Sequence, residues 1–356
     1  MNPLALARPE ILALSPYRSA RREAGLAPVL LNANESPQPR PGLEGLHRYP
    51  EPRPSALIAA LAAHYGVPPE CVLPGRGSDE AIDLLLRAFC TAGRDAILVC
   101  PPTFGYYAVS AAVQGAEVVA VPLRGEDFRL DREGMARALA TRPVKLIFLC
   151  SPNNPTGTAL PEEDLQWVLG LAHGRALVVL DEAYVEFSDQ PSFARALPRF
   201  PGLAILRTLS KAHGLAGARV GALLADPRVV MLLERLLAPY PLPAPSVAAA
   251  LSALADPAWL ERNVSYLRQA REALSAALAA RPGVLRVLPS QANFLAFAVS
   301  APAAIHARLA AAGVLVRDVS AQPGMAGFLR VSIGRPEENA AFLAALDRAL
   351  AAEASG

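Results

Sequence analysis

From residue 79 onward, two kinds of hydrophobic stretch alternate along the chain. Short unbroken runs of Val, Ile and Leu follow longer segments whose apolar positions recur every three or four residues, which predicts strands and helices in turn. Helices are expected over 79–89, 106–114, 132–141 and 162–172, and strands over 96–100, 117–121, 145–150 and 176–180. A short strand over 203–206 enters a turn, and 220–225 continues after it. Strands that are apolar without alternation are buried on both faces. The segment therefore reads as α/β, a mostly parallel sheet with helices on both faces. Such sheets collect their chemistry at the carboxyl ends of the strands.

The pattern differs on either side. Residues 1–50 are rich in Pro, Asn and Arg and read as an irregular arm with a short helix near 16–24. A helix over 55–65 follows, with Ser55 expected to cap it after Pro54. Beyond the prolines at 239, 241, 243 and 245, Ala-rich helices around 246–280 precede strands at 285–288, 294–299, 314–317 and 328–332, and a last helix spans 337–352. This predicts an arm (1–50), a large domain (51–240) and a smaller α+β domain (241–356). The uncharged stretch 236–255 is long enough to span a bilayer, but its four prolines would break a helix there. The N-terminus lacks a basic start followed by an apolar run, so a cytoplasmic protein is expected.

Composition narrows the function classes. With 53% apolar and 19% charged residues over 356 positions, the chain can bury a large core and is not a disordered type. A net charge of +2 argues against a dedicated nucleic-acid binder. The four cysteines show no Cys-x-x-Cys pair and lie in or beside apolar runs, as reduced buried thiols do. The five histidines are scattered without ligand spacing, so no metal site is expected.

Only two of the 34 basic residues are lysines, Lys145 and Lys211. A chain that meets almost every need for positive charge with Arg raises the weight of each Lys, because an amine can shed its proton and attack a carbonyl while guanidinium cannot. Lys145 opens a strand, where a solvated charge suffices. Lys211 lies in Thr208-Leu209-Ser210-Lys211-Ala212-His213-Gly214, with Arg219 eight residues on. Three further stretches stand at strand ends or helix starts. Gly75-Arg76-Gly77-Ser78-Asp79-Glu80 opens a helix whose N–H groups would suit an anion. Ser151-Pro152-Asn153-Asn154-Pro155-Thr156-Gly157 is a rigid turn after a strand. Asp181-Glu182-Ala183-Tyr184 puts a carboxylate at the end of an apolar strand, which is costly unless a cation meets it. Singly, each has a plain structural explanation: a surface lysine, a capped helix, an ordinary turn, an ion pair. Jointly, an amine, a carboxylate for a pyridinium, an Asn and a Tyr for a phenolate oxygen and a phosphate cup describe a pyridoxal phosphate site.

These stretches, with Leu14-Ser15-Pro16-Tyr17, Leu31-Asn32-Ala33-Asn34-Glu35, Arg48-Tyr49-Pro50, Pro101-Pro102-Thr103-Phe104-Gly105-Tyr106-Tyr107 and Leu329-Arg330-Val331, are similar to the fold-type-I aminotransferases. The chain resembles most closely the histidinol-phosphate aminotransferase family, a class-II pyridoxal-phosphate-dependent group. The resemblance implies pyridoxal 5'-phosphate held by Lys211, which also moves the proton. It implies Asp181 at the ring nitrogen, and Asn154 and Tyr184 at the phenolate oxygen. Gly77, Ser78, Asp79, Ser210 and Arg219 would lie at the phosphate, with Tyr49 arriving from the second subunit of a homodimer. Phe104 stands where many members stack a tyrosine on the ring, so any role of that hydroxyl is lost or passes to Tyr106 or Tyr107. For substrate, the resemblance implies Arg330 and Arg317 gripping anionic groups, a task the Arg fork suits, with Tyr17 and Asn32 at the mouth. The implied substrates are histidinol phosphate and the glutamate/2-oxoglutarate pair. An aromatic or broad-specificity aminotransferase and a phosphothreonine-type decarboxylase share the same cofactor site. A pyridoxal-phosphate-binding transcription regulator would need a helix-turn-helix domain, for which the arm leaves no room.

Overall fold

In the computed structural model, which describes residues 1–15, 17, 20 and 29–354, the chain forms two sheets. The larger has seven strands: β1 (Val72–Gly75), β2 (Ala96–Val99), β3 (Glu117–Ala120), β4 (Val144–Cys150), β5 (Leu177–Asp181), β6 (Leu203–Thr208) and β7 (Gly221–Ala225). Their spatial order is β1-β7-β6-β5-β4-β2-β3. Strands β3, β2, β4, β5 and β6 pair in parallel, while β7 runs antiparallel to both β6 and β1. Every residue of β2, β5, β6 and β7 is buried. Two apolar cores occupy the two faces, one around Leu57, Ile147 and Ile205, the other around Phe89, Phe148 and Leu206. This is the doubly covered sheet that the unbroken apolar runs predict.

The smaller sheet is antiparallel, in the order β10 (Arg317–Asp318), β11 (Phe328–Ser332), β9 (Phe294–Val299), β8 (Val284–Val287). Helices Pro257–Ala279, Pro302–Ala311 and Pro336–Ala354 surround it, over a core that includes Leu278, Phe297 and Leu346. Among the described residues, no helix is long and apolar enough to cross a membrane.

Several local expectations need correcting. The strand expected over 314–317 shrinks to Arg317–Asp318, because Val314 N–H bonds Leu309 C=O to close the preceding helix around Gly313. Strand β1 was not expected, since Pro74 lacks an N–H; it is tolerated because β1 is an edge strand. Ser55 is the first helical residue rather than the cap, and both its N–H and its hydroxyl bond Glu51. Of the four prolines, Pro245 lies in the first turn of helix Ala244–Leu254, where a missing N–H costs nothing. The helix expected over 16–24 lies largely outside the described residues. The four cysteines are free thiols; Cys71, Cys90 and Cys100 are buried, and Cys150 is half-buried.

Candidate active site

The parallel register sets the site. Cys150 of β4 pairs with Asp181 of β5, and Asp181 pairs with Leu206 of β6, so three carboxyl ends arrive side by side. Asn154, Tyr184 and Lys211 each follow one of these ends. With Ser78, Asp79, Phe104, Asp181, Ser210 and Arg219 they line one cavity, together with Cys150, Ala183 and Thr208.

At one end is an anion cup. Gly77 caps helix Ser78–Phe89 without a side chain, so no side-chain oxygen occupies the first-turn N–H groups. Its φ of +83° favours glycine, and a Cβ there would stand 2.7 Å from Nη2 of Arg219. Arg219 has a left-handed φ of +55° and reaches the Ser210 hydroxyl at 3.3 Å and Asp79 at 3.1 Å. The floor is Gly221, where any Cβ would meet the backbone of Gly77 and Ser78 at 2.7 and 2.8 Å. Helix dipole, Arg219 and the Ser210 hydroxyl converge on the same point.

At the other end is Asp181, 2% exposed. It accepts hydrogen bonds from the Tyr107 hydroxyl at 2.6 Å and from Ala183 N–H at 3.0 Å, and it has no ion pair among the described residues. Burial pushes its pKa up to about 6, against the lowering effect of both bonds. A buried carboxylate that faces this cavity without an ion pair among the described residues suits a ligand that brings a positive charge. Between the two ends lie Lys211 and the Asn154–Tyr184 pair. Asn154 Nδ2 donates to the Tyr184 hydroxyl at 3.5 Å, and Lys211 Nζ lies 5.6 Å from the centre of the Tyr184 ring. Desolvation first, then the charge of Arg330, lowers the Lys211 pKa, while Asp181 works the other way. A depressed pKa raises the share of free amine, the form that attacks a carbonyl. An anion cup, a lone buried carboxylate and an amine between them fit pyridoxal 5'-phosphate.

Arg330 of β11 hydrogen-bonds Asn154 Oδ1, and its guanidinium packs 5.2 Å from the centre of the Phe294 ring. The smaller sheet thus delivers a cation to the cavity. Arg317 pairs with Arg330 across the β10–β11 ladder but is exposed. Three other expected positions lie elsewhere in the chain. Tyr49, half-exposed, stacks on Tyr240 at 4.3 Å. Tyr17 is 69% exposed, and Asn32 Nδ2 donates to Ala20 C=O.

Two residues were missed or left open in the sequence. Tyr107 is fully buried, stacks on Phe148 at 4.8 Å and is the Asp181 partner; Tyr106, its half-exposed neighbour, is not. Phe294 meets Tyr184 edge-on at 5.2 Å, a contact between the two sheets' elements with no local signal. Because the Tyr107 bond stabilises the ionised carboxylate, Tyr107→Phe raises the Asp181 pKa. The acid limb of kcat/KM should therefore move to higher pH by about one unit. A pH–rate profile with an unmoved limb would reduce Tyr107 to a packing role.

Residues 27–346 match the model of the family described as aminotransferase class I and II. A histidinol-phosphate aminotransferase of Stenotrophomonas maltophilia is 48% identical, with 98% of each chain covered. One from Xylella fastidiosa is 49% identical over 96% of each. Among solved structures, a histidinol-phosphate aminotransferase of Sinorhizobium meliloti in complex with pyridoxal-5'-phosphate aligns with a TM-score of 0.79 at 27% identity, over 97% of this chain and 88% of that one.

Proposed function

Because this chain belongs to the aminotransferase class I and II family, we propose that it exchanges an amino group between L-histidinol phosphate and 2-oxoglutarate. The products are imidazole acetol phosphate and L-glutamate, a step of L-histidine biosynthesis, with pyridoxal 5'-phosphate as cofactor. The near-full-length similarity to histidinol-phosphate aminotransferases carries the reading.

When bound, the cofactor ring supplies the electron sink that lowers the barrier to removing a proton beside the amine. The chain's own residues do the rest. Asp181 holds a proton on the ring nitrogen, since a carboxylate within about 4–6 Å raises such a pKa by roughly 1–3 units. Lys211 would hold the cofactor through its amine and, as a free amine, would move the proton beside the substrate's amino group. Ser78, Asp79, Gly77, Ser210 and Arg219 grip the phosphate, Asn154 and Tyr184 orient the phenolate oxygen, and Phe104 covers the ring. Arg330, beside Asn154, receives the anionic group of either substrate; Arg317, Tyr17 and Asn32, which the resemblance assigns to the substrate, lie outside this chain's own cavity. We read the enzyme as a cytoplasmic homodimer in which Tyr49 serves the partner's cofactor; its half-exposed position away from the chain's own cavity supports this.

With 2-oxoglutarate as acceptor, histidinol phosphate should show a kcat/KM well above that of phenylalanine. Steady-state assays on both donors check it. A preference for phenylalanine would reassign the enzyme to aromatic amino acids and leave fold and cofactor untouched.

A further inference from the structure

Outside the cofactor cavity, three metal-binding side chains converge. His64 near the end of helix Ser55–Tyr65, Glu186 in the turn Val185–Phe187 and His213 in the lysine turn each offer a ligand atom, and these atoms lie within 4.8 Å of one another. The scatter of histidines along the sequence predicted no such group. The fold makes it, because β5 and β6 are neighbours and the segments leaving them meet under one helix.

Two observations say that the cluster needs a ligand. His213 is 4% exposed, yet its Nε2 meets no hydrogen-bond partner among the described residues, and neither does the buried Oε2 of Glu186. Leaving such atoms unpaired costs about 1–3 kcal/mol each. The local charge is also unbalanced. Glu182 and Glu186 both pair with Arg207, at 3.5 and 2.7 Å, and with no other cation among the described residues. Arg207 engages Glu186 through Oε1 and stacks on Tyr65 at 4.4 Å, which leaves Oε2 without a partner among the described residues. Two buried carboxylates against one guanidinium leave a net negative charge that a cation would neutralise.

We propose that His64, Glu186 and His213 bind a divalent first-row cation, zinc foremost, which ties the turn carrying Lys211 to helix Ser55–Tyr65. Two imidazoles and one carboxylate are a donor set suited to zinc, with water completing the tetrahedron. Bonds of about 2.0–2.2 Å require the ligand atoms to draw together; His64 is exposed, so its side chain can rotate inward and also gives the ion a way in. His213 lies two residues beyond Lys211, and Gly214 N–H bonds Lys211 C=O within the same turn. The ion would therefore brace the lysine's backbone without touching the cofactor.

The test is calorimetric titration of chelator-treated holoenzyme with Zn²⁺, beside His64→Ala and Glu186→Gln. About one ion should bind per chain, with affinity falling by more than about 10-fold in each variant. The cofactor's visible band should not move on zinc addition. His64 is exposed, so His64→Ala keeps the fold and separates ligand loss from unfolding. Failure of the parent enzyme to bind zinc, or equal affinity in His64→Ala, overturns the proposal. So does a thiolate charge-transfer band on cobalt substitution, which would place the ion on a cysteine.

Discussion

Lys211→Ala should lose both the visible absorbance of lysine-bound cofactor and transamination. The loss has two parts. Without the amine no covalent link to the cofactor forms, and without a mobile base the proton transfer between carbon atoms loses general acid–base assistance, worth about 10²–10⁴-fold by itself. Lys145 cannot substitute, because it lies at the start of β4, the end remote from the site. The anion cup is intact in this variant, so cofactor still binds, but non-covalently and without a borohydride-reducible link. A reducible adduct in Lys211→Ala would sink the assignment.

Asp181→Asn should lower kcat by about 10²–10³-fold, the range for removing one preorganised charge partner from an active site. The same change should stabilise the cofactor-free protein. In the folded chain, burial holds the Asp181 pKa at about 6, above the usual carboxylate range. Between the unfolded and folded values the native state keeps a proton that the unfolded state has lost, so stability falls as pH rises from about 4 to about 6. Above pH 6 the ionised carboxylate costs about 1–3 kcal/mol of folding free energy. Asparagine escapes that cost and can keep both hydrogen bonds, accepting from Ala183 and donating to Tyr107. Thermal melts of cofactor-free wild type and variant across this pH range should diverge as pH rises. Parallel curves would mean that Asp181 is not buried without cofactor.

The sequence was most legible where one residue type alone decides the chemistry. Lys211 stood out because arginine does nearly all other cationic work, and Asp181 because a carboxylate ending an apolar strand demands a partner. Parallel strands were readable from unbroken Val, Ile and Leu runs. Strand β1 was not, since Pro74 conceals an edge strand, and the short β10 was overestimated because Val314 and Val316 are apolar for packing, not pairing. Contacts between distant segments left no local trace. Tyr107 on Asp181, Phe294 against Tyr184 and the His64–Glu186–His213 group depend on which strands are neighbours, and the alternation of elements does not fix that order.

The anion cup has one more consequence. Its two sides come from β1 and β7, an antiparallel pair in which Gly75 faces Gly221, so the span between the helix start and Arg219 is fixed by a single ladder register. Arg219 already holds a left-handed backbone, a cost of about 1–2 kcal/mol that is met on folding and not when a ligand arrives. A phosphate therefore meets a finished socket. Its capture should follow simple one-step kinetics, with a rate that rises linearly with ligand concentration and shows no plateau from a slow rearrangement.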